Sequence, residues 1–546
     1  MACSKLFSGD LPHELLNEVI QNFHYDYKTL HSCILVNRLW CRLVIPLLWE
    51  DPFSKDYPKN YQFIEIYFSK LNEDDKTKFN EYGIKFDLLH SNTLFNYPSF
   101  IKYLDTNKIW HSIKYWVDLL VDEYGGELEN KLLNLVYRSL FKVFIENEGN
   151  LYSFEISRCY DKYLNDNIDL ILQNPNLTYN IRNLRLSNDS ISFQNIIPFF
   201  KFLCFNCNSI SSIVFEFLTN NSSIIEHLSQ IIIPQNNLKK ISFELNTSTL
   251  YKPFLSLKTS NCSNTLNIII FYYIDFKNII SILQEVFNQL NVLESIHILY
   301  CGSLNSDFVQ QIIKVIKPFK LRSLFMNDIL NVEPLQLLLQ KFGDCLENFG
   351  FEVNSRYRDD SKDYEQEDNQ RQLFKLIMKY CTKIRYLNSS IPYDNNIYPF
   401  IENNQHNINY ITIEKDYLDE DTNYSSTVLQ NLGQVLPSKL EYLYLGFTFR
   451  TDDLEIFLNY SQNTFIKKLL IKDKGLHINE DILSCIKKYI IEKERVKYLA
   501  ISPNITNYEL FSLKNEVNEF KLHNIIVQRF LDLYTDAYSL INDHLL

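Results

Sequence analysis

An α/β fold is expected for this chain, a short helical start followed by a long array of strand–helix units. Three observations predict it. Apolar residues recur at helical spacing from residue 10 to about residue 150, and the spacing apolar-x-x-apolar-x-apolar recurs from Leu151 onward. At 546 residues the chain is also longer than one ordinary core can organise, so several domains or an elongated array is expected. The division that follows is a three-helix module at 10–53, a helical linker or cap at 54–150, and a curved solenoid of strand–helix units at 151–546.

The first module spans Asp10 to Phe53. Asp10 suits a helix cap and Pro12 a first helical turn, and Leu15, Leu16, Val19, Ile20 and Phe23 make an apolar stripe. A second helix is suggested by Leu30, Ile34 and Leu35 with Cys33. A third is suggested by Trp40, Leu43, Val44 and Leu47, with Pro46 near its end. Three such helices make only a small core, one that a partner would help to cover. The segment also holds Trp40 and Trp49, two of only four tryptophans in the chain.

In its order of residues this segment resembles an F-box. The positions that carry the resemblance are Leu11-Pro12, Glu14-Leu15-Leu16, Val19-Ile20, Leu30, Cys33, Val36, Trp40 and Leu48-Trp49. Asn37 departs from the pattern, standing where the family often has cysteine, and so does Thr29, where an acidic residue is usual. The resemblance implies docking to the Skp adaptor of a cullin-RING ubiquitin ligase through Leu11, Pro12, Leu15, Leu16, Leu30, Leu35 and Val36. Trp40 and Trp49 would lock the third helix onto the other two.

Residues 54 to 150 read as helices, for example "IWHSIKYWVDLLVDEY", with Trp110 and Trp116 on a core stripe. Beyond them, repeat starts fall at 151, 181, 210, 238, 266, 293, 321, 346, 384, 408, 440, 466, 496 and 517. A single match is weak, arising by chance at about one start in ten in a chain 46% apolar. The spacing is stronger, because the first seven starts are separated by 30, 29, 28, 28, 27 and 28 residues. The ninth position of a unit is Cys159, Asp189, Asn246, Cys301, Asn354, Asp416 or Asn504 in seven cases, residues able to hydrogen-bond the turn after a strand. Helical stretches such as "SDFVQQIIKVIKPF" and "DDLEIFLNYSQN" return the chain to the next strand. These units resemble degenerate leucine-rich repeats, so the pairing as a whole is similar to F-box/leucine-rich-repeat proteins of a lineage-expanded fungal type.

Composition narrows the function. A formal net charge of −12 argues against a phosphate-binding face, so proteins rather than nucleic acid are the expected partners. Charged or polar residues interrupt every apolar run, and MACSKLFSGD lacks the apolar stretch of a signal peptide. An intracellular protein, cytoplasmic or nuclear and without membrane partners, is expected. Eleven irregularly spaced cysteines read as reduced thiols. Cys204 and Cys207 have metal-ligand spacing, but no second pair completes a site. With no Gly-x-Gly-x-x-Gly, P-loop or His-Glu-x-x-His, no catalytic residue, metal or cofactor is expected. The acidic run Arg358 to Arg371 reads as a solvated, mobile insertion.

In a strand, the residues between the apolar positions face away from the helices. Tyr386, Tyr410, Tyr442 and Tyr498 share one such position in four units, with Phe325 and Tyr444 on the same side; His297 also falls within a strand. Stacked units would align them into a partly exposed, target-binding ladder. The expectation is a substrate-recognition subunit of an SCF-type ligase, reaching a cullin through the adaptor and holding an unknown protein target. The alternative is a repeat scaffold without a ligase role.

Overall fold

The computed structural model describes every residue except 1–12, 25, 55–60, 85–92, 121–125, 158–160, 189–196, 218–221, 246–249, 328–331, 352–362, 391–394, 415–421, 474–479, 492–494, 504–508 and 546. Among the described residues fifteen strands form a parallel sheet in which each lies beside its neighbours in sequence. They are β1 Tyr103–Asp105, β2 Ser153–Ile156, β3 Asn183–Asn188, β4 Ser212–Phe217 and β5 Lys240–Glu244. Then follow β6 Ile268–Tyr272, β7 Ser295–Leu299, β8 Lys320–Met326, β9 Asn348–Phe351 and β10 Tyr386–Ser390. The last five are β11 Tyr410–Glu414, β12 Lys439–Gly446, β13 Phe465–Asp473, β14 Val496–Pro503 and β15 Ile526–Val527. Helices alternate with strands, as parallel pairing requires of its crossovers. No helix among the described residues is long and apolar enough to cross a membrane.

The apolar template explains the strands. Its first position is buried at each of the thirteen starts from Leu151 to Val496, and its fourth, such as Leu184, Ile269 or Leu443, is buried beside the helices. The third and fifth positions alternate with the fourth and sixth, so each strand places its apolar set on one face. After β5, β6 and β7 the chain turns through Leu245, Tyr273 and Tyr300, with φ of 51°, 52° and 55°. Each gives its backbone N–H to the next strand, bonding the carbonyls of Tyr272, Leu299 and Phe325 at 2.9, 2.9 and 2.7 Å. Cys301 sits just past one such turn, its thiol on the carbonyls of Phe271 and Leu299, both at 3.4 Å. The other six ninth-position residues, Cys159, Asp189, Asn246, Asn354, Asp416 and Asn504, lie outside the described residues.

Three sequence expectations need correction. The span 54–150 is not purely helical: β1 pairs with β2, Leu104 opposite Phe154. The start at 517 is not a strand, because Val517, Phe520 and Leu522 fall in the helix Lys514–Leu522 and the strand comes later, at Ile526–Val527. From Asp363 the acidic run opens the eighteen-residue helix Asp363–Tyr380, secured by the buried Leu373, Phe374 and Ile377. Its earlier residues lie outside the described ones.

The chain divides into two compact units, Met1–Ile241 with Thr249–Leu266, and Ser242–Ser248 with Asn267–Leu546. In the first, helices Thr106–Leu120 and Glu127–Glu146 bring Trp116, Phe141 and Phe144 into the core, and Phe53 and Tyr67 meet Phe144 edge-on. Trp110 is only half-buried. In the same unit, burial pushes the Cys204 and Cys207 thiols up to about 11 and about 12, the setting of apolar, unionised thiols. The second unit holds β6 to β15 and the chain's last helices, Phe530–Leu533 and Ala537–Leu545.

Candidate interaction faces

Within the first unit, three helices follow one another: α1 His13–Gln21, α2 Tyr27–Ile34 and α3 Arg38–Trp49. Asp26 caps α2, accepting from the Thr29 N–H at 3.1 Å and the Thr29 hydroxyl at 2.7 Å. Asn37 caps α3, accepting from the N–H groups of Leu39 and Trp40 at 2.9 and 3.0 Å. Thr29 and Asn37, the two departures from the sequence pattern, thus have local work as helix-terminus residues.

The apolar stripe divides by depth. Leu16, Ile20, Leu30, Cys33, Val44 and Leu47 form the small core, with Trp40 packed partly against it. Leu15, Val19, Leu35 and Val36 stay on the surface, Leu35 at 79% exposure. Of the residues proposed for adaptor contact, Leu15, Leu35 and Val36 are therefore available. Leu16 and Leu30 are core residues, and Leu11 and Pro12 lie outside the described ones. Trp49 stands outside this core: it packs edge-on to Tyr67 at 5.4 Å and against Tyr97 at 4.3 Å between ring centroids.

Just past α3, Glu50 is buried with its carboxylate 2.8 Å from His24 Nε2 and 3.8 Å from Lys102 Nζ. Burial pushes Glu50 up to about 7 despite Lys102, and pushes Asp51 up to about 6. Burial also lowers His24, helped by Lys102. Such shifts follow from removing charged forms from water, and this cluster lies at the foot of the three-helix segment.

In the second unit the tyrosines do align. Tyr386 pairs with Tyr410, Tyr410 with Tyr442, Tyr442 with Lys468 and Lys468 with Tyr498. On the other side the same row runs through Asn348 and Ser323 to His297, whose ring Nδ1 lies 2.7 Å from the buried Ser323 hydroxyl. The register shifts between Ile296 and His297, and the row is continuous because of it. Two residues along each strand runs a second row of Leu299, Phe325, Gly350, Asn388, Thr412, Tyr444, Leu470 and Ala500.

The expected partial exposure of the ladder holds only for two of its residues. Phe325, Tyr386, Tyr442 and Tyr444 are buried, and only Tyr410 and Tyr498 are half-buried. The cover is the chain's own carboxyl-terminal segment. Phe530 and Leu533 pack on Tyr442, Tyr444, Leu470 and Ala500. Ala537, Tyr538 and Ile541 pack on Ile270, Leu299, Tyr300, Phe325 and Tyr386. Tyr538 stacks on Tyr272 with centroids 4.7 Å apart and donates its hydroxyl to the buried Glu244 carboxylate. Burial drives the Tyr386, Tyr442 and Tyr444 hydroxyls well above their usual range, and Glu414, bonded to the Tyr444 hydroxyl at 3.0 Å, adds to the effect there. Between segment and strands a cavity of about 180 Å³ remains, lined by Tyr386, Tyr410, Glu441, Tyr442, Lys467, Lys468, Thr535 and Leu540.

Sequence reasoning missed Phe530, Leu533, Tyr534, Tyr538 and Ile541, which read only as the end of a last repeat. A signal was present: Phe530, Tyr534 and Tyr538 recur every four residues, as do Leu533, Ala537 and Ile541, a helical rather than strand-like pattern. The arrangement leaves exposed aliphatics on the helices and an aromatic face on the strands that the chain's own segment fills. Comparison of the chain with protein-family models and with curated proteins finds no match.

Proposed function

We propose that this chain is a substrate-recognition subunit of an SCF-type cullin-RING ubiquitin ligase, acting in the cytoplasm or nucleus. An F-box would hold the Skp adaptor, and leucine-rich-repeat units would hold a target protein. The observation that carries the reading is the coincidence of the F-box order of residues with a three-helix segment whose pattern positions split by depth. Leu16, Leu30, Cys33 and Trp40 serve the core, while Leu15, Val19, Leu35 and Val36 are left as an apolar surface. A partner covering these four aliphatics would add apolar burial that so small a core lacks. In this reading the chain binds and positions, and the ligation chemistry belongs to other subunits.

The test is co-purification with an Skp adaptor, and then the full-length double variant Leu15→Ser, Leu35→Ser. Both side chains are exposed, so stability should move by no more than about 0.5 kcal/mol per site, whereas adaptor affinity should fall at least tenfold. A chain that never retains the adaptor leaves the second reading, a repeat scaffold whose helices only close one end of the array. One observation favours that reading: Trp49 is spent on Tyr67 and Tyr97, which ties α3 to the helices that follow.

A further inference from the structure

The segment from Gln528 to Leu545 lies on both rows of the sheet face, yet its backbone is not a strand of the sheet. Among the described residues its main-chain N–H groups reach outward at three places, Gln528 to the Leu499 carbonyl at 3.0 Å, Phe530 to Glu509 Oε2 at 2.8 Å, and Thr535 to the Tyr442 hydroxyl at 3.4 Å. Elsewhere its hydrogen bonds close its own turns, such as Tyr534 N–H to the Phe530 carbonyl and Leu540 N–H to the Asp536 carbonyl. Side chains therefore hold it: Phe530 and Leu533 at one end, Ala537, Tyr538 and Ile541 at the other, with the Tyr538 hydroxyl on Glu244. Between these ends Tyr534 is partly exposed while meeting Tyr444 edge-on at 5.5 Å, and the small cavity lies beside Thr535 and Leu540. A segment held mainly by side chains, outside the cooperative ladder of the strands, opens more readily than a strand does.

From this we infer that the segment is a resident, displaceable ligand of the face, and that the partner the face accepts is a peptide of the same chemistry. That peptide carries aromatic residues four apart with leucine or isoleucine beside them, and ends on a tyrosine able to reach Glu244. The inference deepens the proposed function and rests on its target-binding half. The face is built for such an occupant: its rings meet rings, Tyr444 edge-on to Phe530 at 5.6 Å and Tyr272 stacked on Tyr538. Its polar atoms are met by a hydroxyl and an amide of the segment, Glu244 by the Tyr538 hydroxyl and the Tyr442 hydroxyl by the Thr535 N–H, rather than by a strand's regular backbone. A tethered occupant competes at an effective concentration in the millimolar range, so an external peptide's affinity is reduced to the fraction of time that the face is open.

The experiment uses the full-length protein and a fluorescent synthetic peptide, QRFLDLYTDAYSLINDHL, which is the segment's own sequence. Binding is compared between the unaltered chain and full-length Tyr538→Ala, Ile541→Ser, with a second variant, Phe530→Ala, Leu533→Ser, that releases the other end. Circular dichroism and thermal unfolding check that each folds. The expected result is peptide binding at least tenfold tighter to either folded variant than to the unaltered chain, and loss of that gain when Tyr444→Ala is added. Folded variants that bind no tighter, or binding indifferent to Tyr444→Ala, overturn the inference and leave the segment a structural cap. Should both variants fail to fold, hydrogen exchange on the unaltered chain decides. Amides of 530–545 exchanging at least tenfold faster than those of β12 and β13 support release, and exchange in step with those strands overturns it. No adaptor enters these measurements, so peptide capture without adaptor binding would leave this inference standing and remove the ligase reading.

Discussion

Trp49 rests against Tyr97 with ring centroids 4.3 Å apart, and this contact, not the three-helix core, is where the second tryptophan of the opening segment is spent. Its other neighbour, Tyr67, is fully buried among Phe53 and Phe144. Trp49→Ala should therefore destabilise the first unit by about 3 kcal/mol, toward the low end for truncating a large aromatic because the ring is only half-buried. Trp40→Ala should act on the three-helix core instead. A double-mutant cycle separates the two: Trp49 and Tyr97 should couple by about 1 kcal/mol and Trp40 and Tyr97 by nearly nothing, measured by chemical denaturation.

The buried carboxylates beside α3 make a pH prediction with a definite sign. Glu50 and Asp51 have folded-state values raised to about 7 and about 6 by burial, above their unfolded ones. Between the unfolded and folded values the native state holds more protons, so stability falls as pH rises through that window. His24, lowered by burial, works the other way below its ordinary value near 6.5. The carboxylates' contribution is therefore clearest above about pH 6.5. In a thermal series the unaltered chain should lose stability from pH 6.5 to 8, and Glu50→Gln should flatten most of that slope. An unchanged slope in Glu50→Gln would show that the titrating group lies elsewhere.

How far the fold could be read ahead depends on what the template encodes. Its first and fourth positions record burial against the helices, a property of each strand alone, and so thirteen starts land beside strands β2 to β14. The start at 517 failed because apolar-x-x-apolar is also one turn of helix: Val517 and Phe520 meet that spacing inside Lys514–Leu522. Strand β1 was legible in principle, since Ile101, Leu104 and Thr106 match the template and are buried, with threonine in place of the third aliphatic. The lateral pairing of the tyrosines was legible because it follows from the period. Their burial was not, because it depends on where a non-repeating segment folds back, and no local pattern records that.

A second kind of residue invisible to the template is Arg495, buried one residue before β14. Among the described residues no acid is one of its hydrogen-bond partners. The guanidinium donates to the Ser461 and Leu458 carbonyls at the end of helix Thr451–Tyr460, to the Ser461 hydroxyl at 3.1 Å and to the Tyr489 carbonyl at 3.0 Å. Burial pulls it down to about 10, still charged at neutral pH. It closes a helix carboxyl end, where both the free carbonyls and the dipole favour a cation. Arg495→Leu should cost about 3 kcal/mol, by stranding several buried acceptors. Arg495→Lys should recover only part of that, because one ammonium cannot span three carbonyls. Equal stability of the Leu and Lys variants in urea would contradict this account.

The second row of the sheet face passes through Gly350 between Phe325 and Asn388, and the space there is already taken. A Cβ at Gly350 would stand 2.6 Å from Phe325 Cδ1 and 2.8 Å from both the Cβ and the carbonyl oxygen of Asn388. Neither neighbour is free to retreat: Phe325 is fully buried beneath the carboxyl-terminal segment, and Asn388 is a strand residue donating to the Tyr300 hydroxyl at 3.0 Å. Gly350→Ala should therefore cost about 1–3 kcal/mol, the usual range for overpacking, although alanine is no worse than glycine in a strand. Gly83→Ala offers the contrast, because its Cβ would meet nothing within 4 Å and only the left-handed φ of 73° is strained, a cost of about 1 kcal/mol. If crowding is the cause, Phe325→Leu combined with Gly350→Ala should lose less than the sum of the two changes. Additive losses in denaturant melts would place the cost in the backbone instead and free the ring from blame.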